Sequence, residues 1–277
     1  MIECPNCGEE INEVYEEYCP FCGYLLEDYV ETSEELVNLE NIELNYLEDS
    51  LQGNSIRKKT DQYILIDIAK TNPNFIVRCR AVEKIIDQTV LIDIAKTDPE
   101  SLVRESAIEN IGDESALIDI AKTDPYWHVR MEAVEKISDQ TALIDISRFE
   151  KNEDVRYTAV KKINNESALI TIARKDPEPV IRSVAVKKIE KESTLITIAK
   201  NDSIPYIRML AIDKITDESA LIDIAKNDYE PLVRMETIDK ITDESALRDI
   251  AENDDNNKVK VVAKERIKCI SNLNEDT

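Results

Sequence analysis

Four glycines in 277 residues leave almost nothing to build tight β-turns from, and the abundance of helix formers points to an all-α chain. Histidine occurs once, at His128, which excludes a histidine-rich metal site. No apolar run approaches the roughly 18 residues of a membrane span. The N-terminus lacks a basic segment followed by an apolar one, so no secretory signal is visible. Bases are scarce beside acids, 35 against 58, for a net charge of −23. That balance argues against a general nucleic-acid binder and against docking on an anionic membrane. It suits a soluble protein of the cytoplasm.

What is present in quantity is repetition. Seven arginines recur every 26 residues: Arg78, Arg104, Arg130, Arg156, Arg182, Arg208 and Arg234, with Lys260 in the eighth place. One unit of that length cannot bury its own apolar face, so a tandem array has to stack as a solenoid. Residues 61–268 hold eight units. In the unit opening at Asp113, that aspartate is the N-cap of a helix carrying Ala116, Leu117, Ile120 and Ala121 on one face. Asp124-Pro125 then reads as a second N-cap with proline at the first helical position. The second helix carries Val129, Ala133, Val134 and Ile137. The unit is therefore two antiparallel helices, A and B, of about nine and twelve residues.

An acid precedes most of the arginines by six residues, as in Asp98 and Arg104 or Asp176 and Arg182. This phrase resembles the HEAT repeat in a compact form, near the short repeats of phycobilin lyases and leucine-rich variant proteins. The resemblance implies an all-α, right-handed α-solenoid of eight two-helix HEAT-like repeats, with helix B lining its concave face. The arginine row is expected to be a hydrogen-bonded ladder between neighbouring repeats rather than a phosphate-binding stripe. In the last unit Arg248 and Lys264 stand where the other units have Ile, Val or Ile, which suits a face that no ninth repeat covers. Residues 269–277 read as a polar, frayed tail.

Six cysteines occur, four of them as Cys4-Pro5-Asn6-Cys7-Gly8 and Cys19-Pro20-Phe21-Cys22-Gly23. Two such knuckles supply four thiolates for a tetrahedral ion, and a closed sphere leaves no position for substrate. Residues 1–26 thus resemble the short zinc ribbons of many prokaryotic proteins, with Cys4, Cys7, Cys19 and Cys22 holding one structural Zn²⁺. Iron in a rubredoxin-like site and disulfides are the alternatives. Cys79 and Cys269 read as ordinary helix residues. Residues 27–60 are an acidic helical linker or a degenerate repeat in which Ser55 and Ile56 fall on Ala81 and Val82.

Departures from the repeat mark candidate binding sites. Near the end of helix B the common Glu-Lys or Asp-Lys pair becomes double lysine twice, at Lys161-Lys162 and Lys187-Lys188. Residues 151–200 carry 11 bases against 7 acids. Trp127, the only tryptophan, sits with Tyr126 and His128 in one A–B turn, either as a binding anchor or as local packing. These features point to a non-catalytic scaffold or adaptor that binds protein partners, among them an acidic segment. An RNA- or ribosome-associated factor and a HEAT-like lyase are the alternatives.

Overall fold

The computed structural model describes residues 55–275 and, near the N-terminus, a strand pair formed by β1 (Ile2–Glu3) and β2 (Glu10–Ile11). The strands are antiparallel, with Ile2 opposite Ile11 and Glu3 opposite Glu10. The zinc ligands predicted from sequence lie outside the described residues. Everything else described is helical, sixteen helices in chain order, and the chain divides into two compact units, Met1–Ala142 and Leu143–Thr277.

In the first unit the A helices are α1 (Ser55–Thr71), α3 (Gln88–Thr97) and α5 (Glu114–Thr123). Their B partners are α2 (Phe75–Val82), α4 (Ser101–Glu109) and α6 (Trp127–Lys136). Helix α7 (Gln140–Phe149) straddles the division. In the second unit α8 (Glu153–Lys162) is followed by four further pairs: α9 (Glu166–Lys175) with α10 (Pro179–Lys188), α11 (Glu192–Asn201) with α12 (Pro205–Ile212), α13 (Glu218–Asn227) with α14 (Pro231–Ile238), and α15 (Glu244–Asn253) with α16 (Asn257–Glu275). In each unit A packs on its own B and stacks on the next A, while B stacks more closely on the next B. From residue 55 on, both units are all-α repeat arrays of solenoid type.

Local sequence accounts for each boundary. Asp87, Asp113, Asp217 and Asp243 cap the A helices by accepting backbone N–H bonds from the first turn. Helix B ends where an isoleucine turns extended and buries, as Ile137, Ile163 and Ile189 do. Most B helices are therefore eight to ten residues, shorter than the twelve predicted. The close B–B stacking is possible because an alanine with no exposed surface sits at one B position in successive repeats, for example Ala159, Ala185 and Ala211.

Three expectations need correction. Asp124 does not cap helix B. It is the C-cap of α5, and its Oδ1 accepts the N–H of Tyr126, so the B helix starts two residues later than the Asp-Pro pair suggested. Helix α1 is continuous across residue 60, so Ser55 to Lys58 open the first A helix instead of ending a preceding B helix. Where later repeats have the plugging isoleucine that breaks B from A, such as Ile85 and Ile111, this stretch has Lys59. At the other end α16 runs on to Glu275, through the stretch read as a frayed tail.

Candidate functional site

Six of the seven ladder arginines reach two repeats at once. Arg104 donates Nη1 to the carbonyl of Asp98 in its own A–B turn at 2.8 Å. Its Nε and Nη2 grip the carboxylate of Asp124 in the next repeat at 2.7 and 3.0 Å. Arg78 with Asp98 repeats the fork in the first unit. Arg156, Arg182, Arg208 and Arg234 repeat it in the second, with Asp176, Asp202, Asp228 and Asp254. The carboxylate also holds its own turn, accepting the N–H two residues on. These guanidinium groups are buried and spoken for, so the row offers no phosphate stripe.

A second ladder joins the loops. The Glu192 carboxylate accepts from Thr216 N, Thr216 Oγ1 and Asp217 N at 2.6, 2.8 and 2.9 Å, and Glu218 does the same with Thr242 and Asp243. The threonine bonds hold both carboxyls below the usual carboxylate range, helped by the aspartate N–H. A depressed folded-state value stabilises fully above the unfolded value of about 4.3, and the gain fades as pH falls through the folded one. Glu192→Gln with Glu218→Gln should therefore flatten the acid limb of stability, measured by urea melts from pH 7 to about 3. Parallel limbs for variant and wild type would refute this.

The double lysines split into two kinds. Lys188 Nζ donates to the Lys161 carbonyl at 2.7 Å, at the end of the preceding B helix. Lys214 does the same to Lys187 and Ile189, and Lys240 to Ile212 and Asp213. Lys136 caps Glu109. The second lysine of the pair is thus a C-terminal cap reaching across one repeat, satisfying carbonyls that the helix leaves open. Lys162 is half-buried at the same position. Lys161 and Lys187 stay exposed, Lys161 with its ammonium 5.6 Å from the Tyr157 ring centroid.

Trp127 is half-buried at the start of α6, edge-on to His128 with ring centroids 5.7 Å apart. His128 is buried, its Nε2 3.3 Å from Glu105 Oε1. Burial lowers its pKa, with Arg104 and Arg130 adding to the effect against Asp124. Tyr229 spreads beneath Arg208, 4.2 Å from ring centroid to guanidinium, and its hydroxyl accepts from Nη1. The turn aromatics are thus partly packing around the ladder.

One exposed surface escaped the sequence reading. Val180, Tyr206 and Leu232 occupy the same position in three consecutive B helices of the second unit, 53%, 55% and 59% exposed. Half-buried Met209 and Met235 flank them, three residues on, and exposed Val261 continues that row. The signal was available two residues before each ladder position, where the column reads Ile76, Leu102, His128, Asp154, Val180, Tyr206, Leu232, Lys258. Exposed Lys187 lies on α10, the helix that begins this stripe, and exposed Lys161 on α8, the B helix before it.

No protein-family model matches the chain, and no curated protein matches it. Among solved structures it is similar to a designed armadillo repeat protein, YIII(Dq)4CqI, at 15% identity over 81% of this chain and 98% of that one, with a TM-score of 0.24. That likeness is too loose to bear on function. Among the described residues no helix is long and apolar enough to cross a membrane, and no cluster of His, Cys, Asp or Glu could hold a metal ion.

Proposed function

We propose that this chain is a non-catalytic scaffold that binds a protein segment along the B helices of its second unit. The observation that carries the reading is the exposed stripe of Val180, Tyr206 and Leu232. Single exposed apolar side chains are ordinary, but a row repeated in one register over three repeats is a continuous surface. Covering the half of each side chain that is still exposed is worth about 0.8–1.5 kcal/mol before the costs of association. Lys161 and Lys187 add two exposed positive charges inside a molecule of net charge −23, which favours an acidic segment over a basic one. The Cys4–Cys22 module is a structural zinc ribbon at the end of the scaffold. The antiparallel pairing of Ile2–Glu3 with Glu10–Ile11 fits it, since the connection between those strands carries Cys4 and Cys7. When bound, the ion would be held by Cys4, Cys7, Cys19 and Cys22 and would supply fold stability rather than chemistry.

The test compares wild type with Tyr206→Asp/Leu232→Asp as baits in native cell extract, followed by titration of whatever wild type retains. Both positions are exposed, so the fold should persist with a stability change within about 0.5 kcal/mol. The retained protein should bind the variant at least about tenfold more weakly, a loss of about 1.4 kcal/mol or more. Lys161→Glu/Lys187→Glu should slow association and reduce its salt sensitivity. Equal recovery by wild type and both variants would sink the reading.

A further inference from the structure

A third ladder runs along the A helices, and it is broken at two adjacent rungs. A lysine near the end of one A helix pairs with an aspartate 23 residues later, in the middle of the next. Lys70–Asp93, Lys96–Asp119, Lys200–Asp223 and Lys226–Asp249 form these pairs at 2.7, 2.5, 2.5 and 2.6 Å. In sequence, Lys122 and Asp145 follow the same pattern. At the remaining two rungs both partners change together. Arg148 faces the position of Thr171, and Arg174 that of Thr197. Drift would scatter such changes. Here the acid is lost at the same two rungs where lysine becomes arginine, and at no other of the seven.

The consequence is two cations without their carboxylates. Arg148 and Arg174 are exposed, and among the described residues neither has an acidic partner at ion-pair distance. The threonine hydroxyls do not substitute, since Thr171 and Thr197 donate back to the carbonyls of Ser167 and Ser193 in their own helices. Arg148, Thr171 and Lys175 line an open depression of about 580 Å³. The acids at its rim are committed: Asp176 is gripped by Arg156, and Glu150 accepts the N–H of Asn152. Arg174 and Thr197 line a smaller depression of about 160 Å³ one repeat along. Beside Arg148, Phe149 is 79% exposed where the other A helices end in Thr, Lys or Asn.

We infer that Arg148 and Arg174 form a two-pronged docking site for an acidic protein segment, separate from the B-helix stripe. Its two carboxylates take the places that Asp93, Asp119, Asp223 and Asp249 fill in the intact rungs. Arginine suits an incoming carboxylate better than lysine does, because its planar fork bonds both oxygens while the stem stays in place. Neighbouring A helices stack at about 10 Å, and a polyproline-II segment advances about 3.1 Å per residue with three residues per turn, which returns residue i+3 to the face of residue i. The segment therefore carries Asp or Glu at positions i and i+3, with an apolar residue next to the first to cover Phe149. Lys175 adds a third charge at the same end.

The test uses the full chain and fluorescein-labelled nine-residue peptides, read by anisotropy at low salt. One peptide has two glutamates at i and i+3 with a leucine beside the first. Another has the same composition with adjacent glutamates. The spaced peptide should bind at least about tenfold more tightly than the adjacent one, and Arg148→Gln/Arg174→Gln should abolish the difference. Thr171→Asp/Thr197→Asp restores the intact rung and should block the site from within, lowering peptide affinity by about tenfold or more without unfolding the protein. Lys264→Gln/Lys268→Gln, which removes the same two charges from exposed positions on the last B helix, should leave peptide binding unchanged. The proposal is overturned if the two peptides bind alike, if the restored-rung variant binds as well as wild type, or if the B-helix variant loses binding. Tighter binding of a nine-nucleotide RNA, lost in the same arginine variant, would overturn the carboxylate assignment.

Discussion

Arg208→Ala should destabilise the protein by about 3–5 kcal/mol, a large part of what a domain has in hand. Arg208 has no exposed surface, and the side chain of its partner Asp228 is 4% exposed. Nε and Nη2 bind Asp228 at 2.7 and 2.8 Å, while Nη1 binds the Asp202 carbonyl at 2.8 Å and the Tyr229 hydroxyl at 2.6 Å. Truncation leaves the Asp228 carboxylate buried with only the Glu230 N–H for compensation, and strips one acceptor in the preceding turn. Lys260→Ala is the comparison. It stands at the ladder position of the last repeat, where its exposed Nζ bonds only the Glu252 carbonyl. That change should cost under about 1 kcal/mol. Urea melts of the two variants decide the matter. Similar midpoints would mean that the ladder adds nothing, while a coupling above about 1 kcal/mol between Arg208→Ala and Asp228→Ala would assign the loss to the pair itself.

Chelation should have the largest effect of all, and it should be confined to one end. Ile2, Ile11, Val14, Tyr18, Phe21 and Leu25 are too few to fold residues 1–26 by burial alone. Structural zinc contributes an apparent 10–16 kcal/mol or so in peptides of this kind. The expected result is one zinc per chain by elemental analysis, and proteolytic cleavage within residues 1–26 after a strong chelator is added. The helical circular dichroism signal should be nearly unchanged, because the repeats bury their own interfaces. Cys19→Ala should mimic the chelator. Native protein with neither zinc nor iron would defeat this reading of the four cysteines.

Much of the architecture was legible in the residues because a tandem repeat states its own periodicity. The 26-residue spacing required stacking, and helical spacing of Leu117, Ile120 and Ala121 named a face that is buried. The end of the array was legible too. Arg248 is exposed and pairs within its own helix with Glu244, and Lys264 is exposed where Ile212 and Ile238 are fully buried. What sequence spacing could not supply was the offset between stacked repeats. Asp98 is six residues from Arg104 and 20 from Arg78, and either could have held the carboxylate bond. Stacking decides that the side chain goes to the earlier repeat and the backbone carbonyl to its own, because the guanidinium fork points across the interface.

The same offset separates lysines that look alike as letters. Lys187 and Lys188 are neighbours in sequence, yet the roughly 100° turn between adjacent helical residues sends one to solvent and the other onto the Lys161 carbonyl. Likewise Arg148 reads as one more base in a basic stretch until stacking sets it opposite Thr171 instead of an aspartate. The sequence by itself determined the repeat, its helices, the partners available to each arginine and the charged final face. The tertiary structure alone decided which of those partners meet, because contacts between repeats depend on how far one unit turns and rises on the next, a quantity that no single unit encodes.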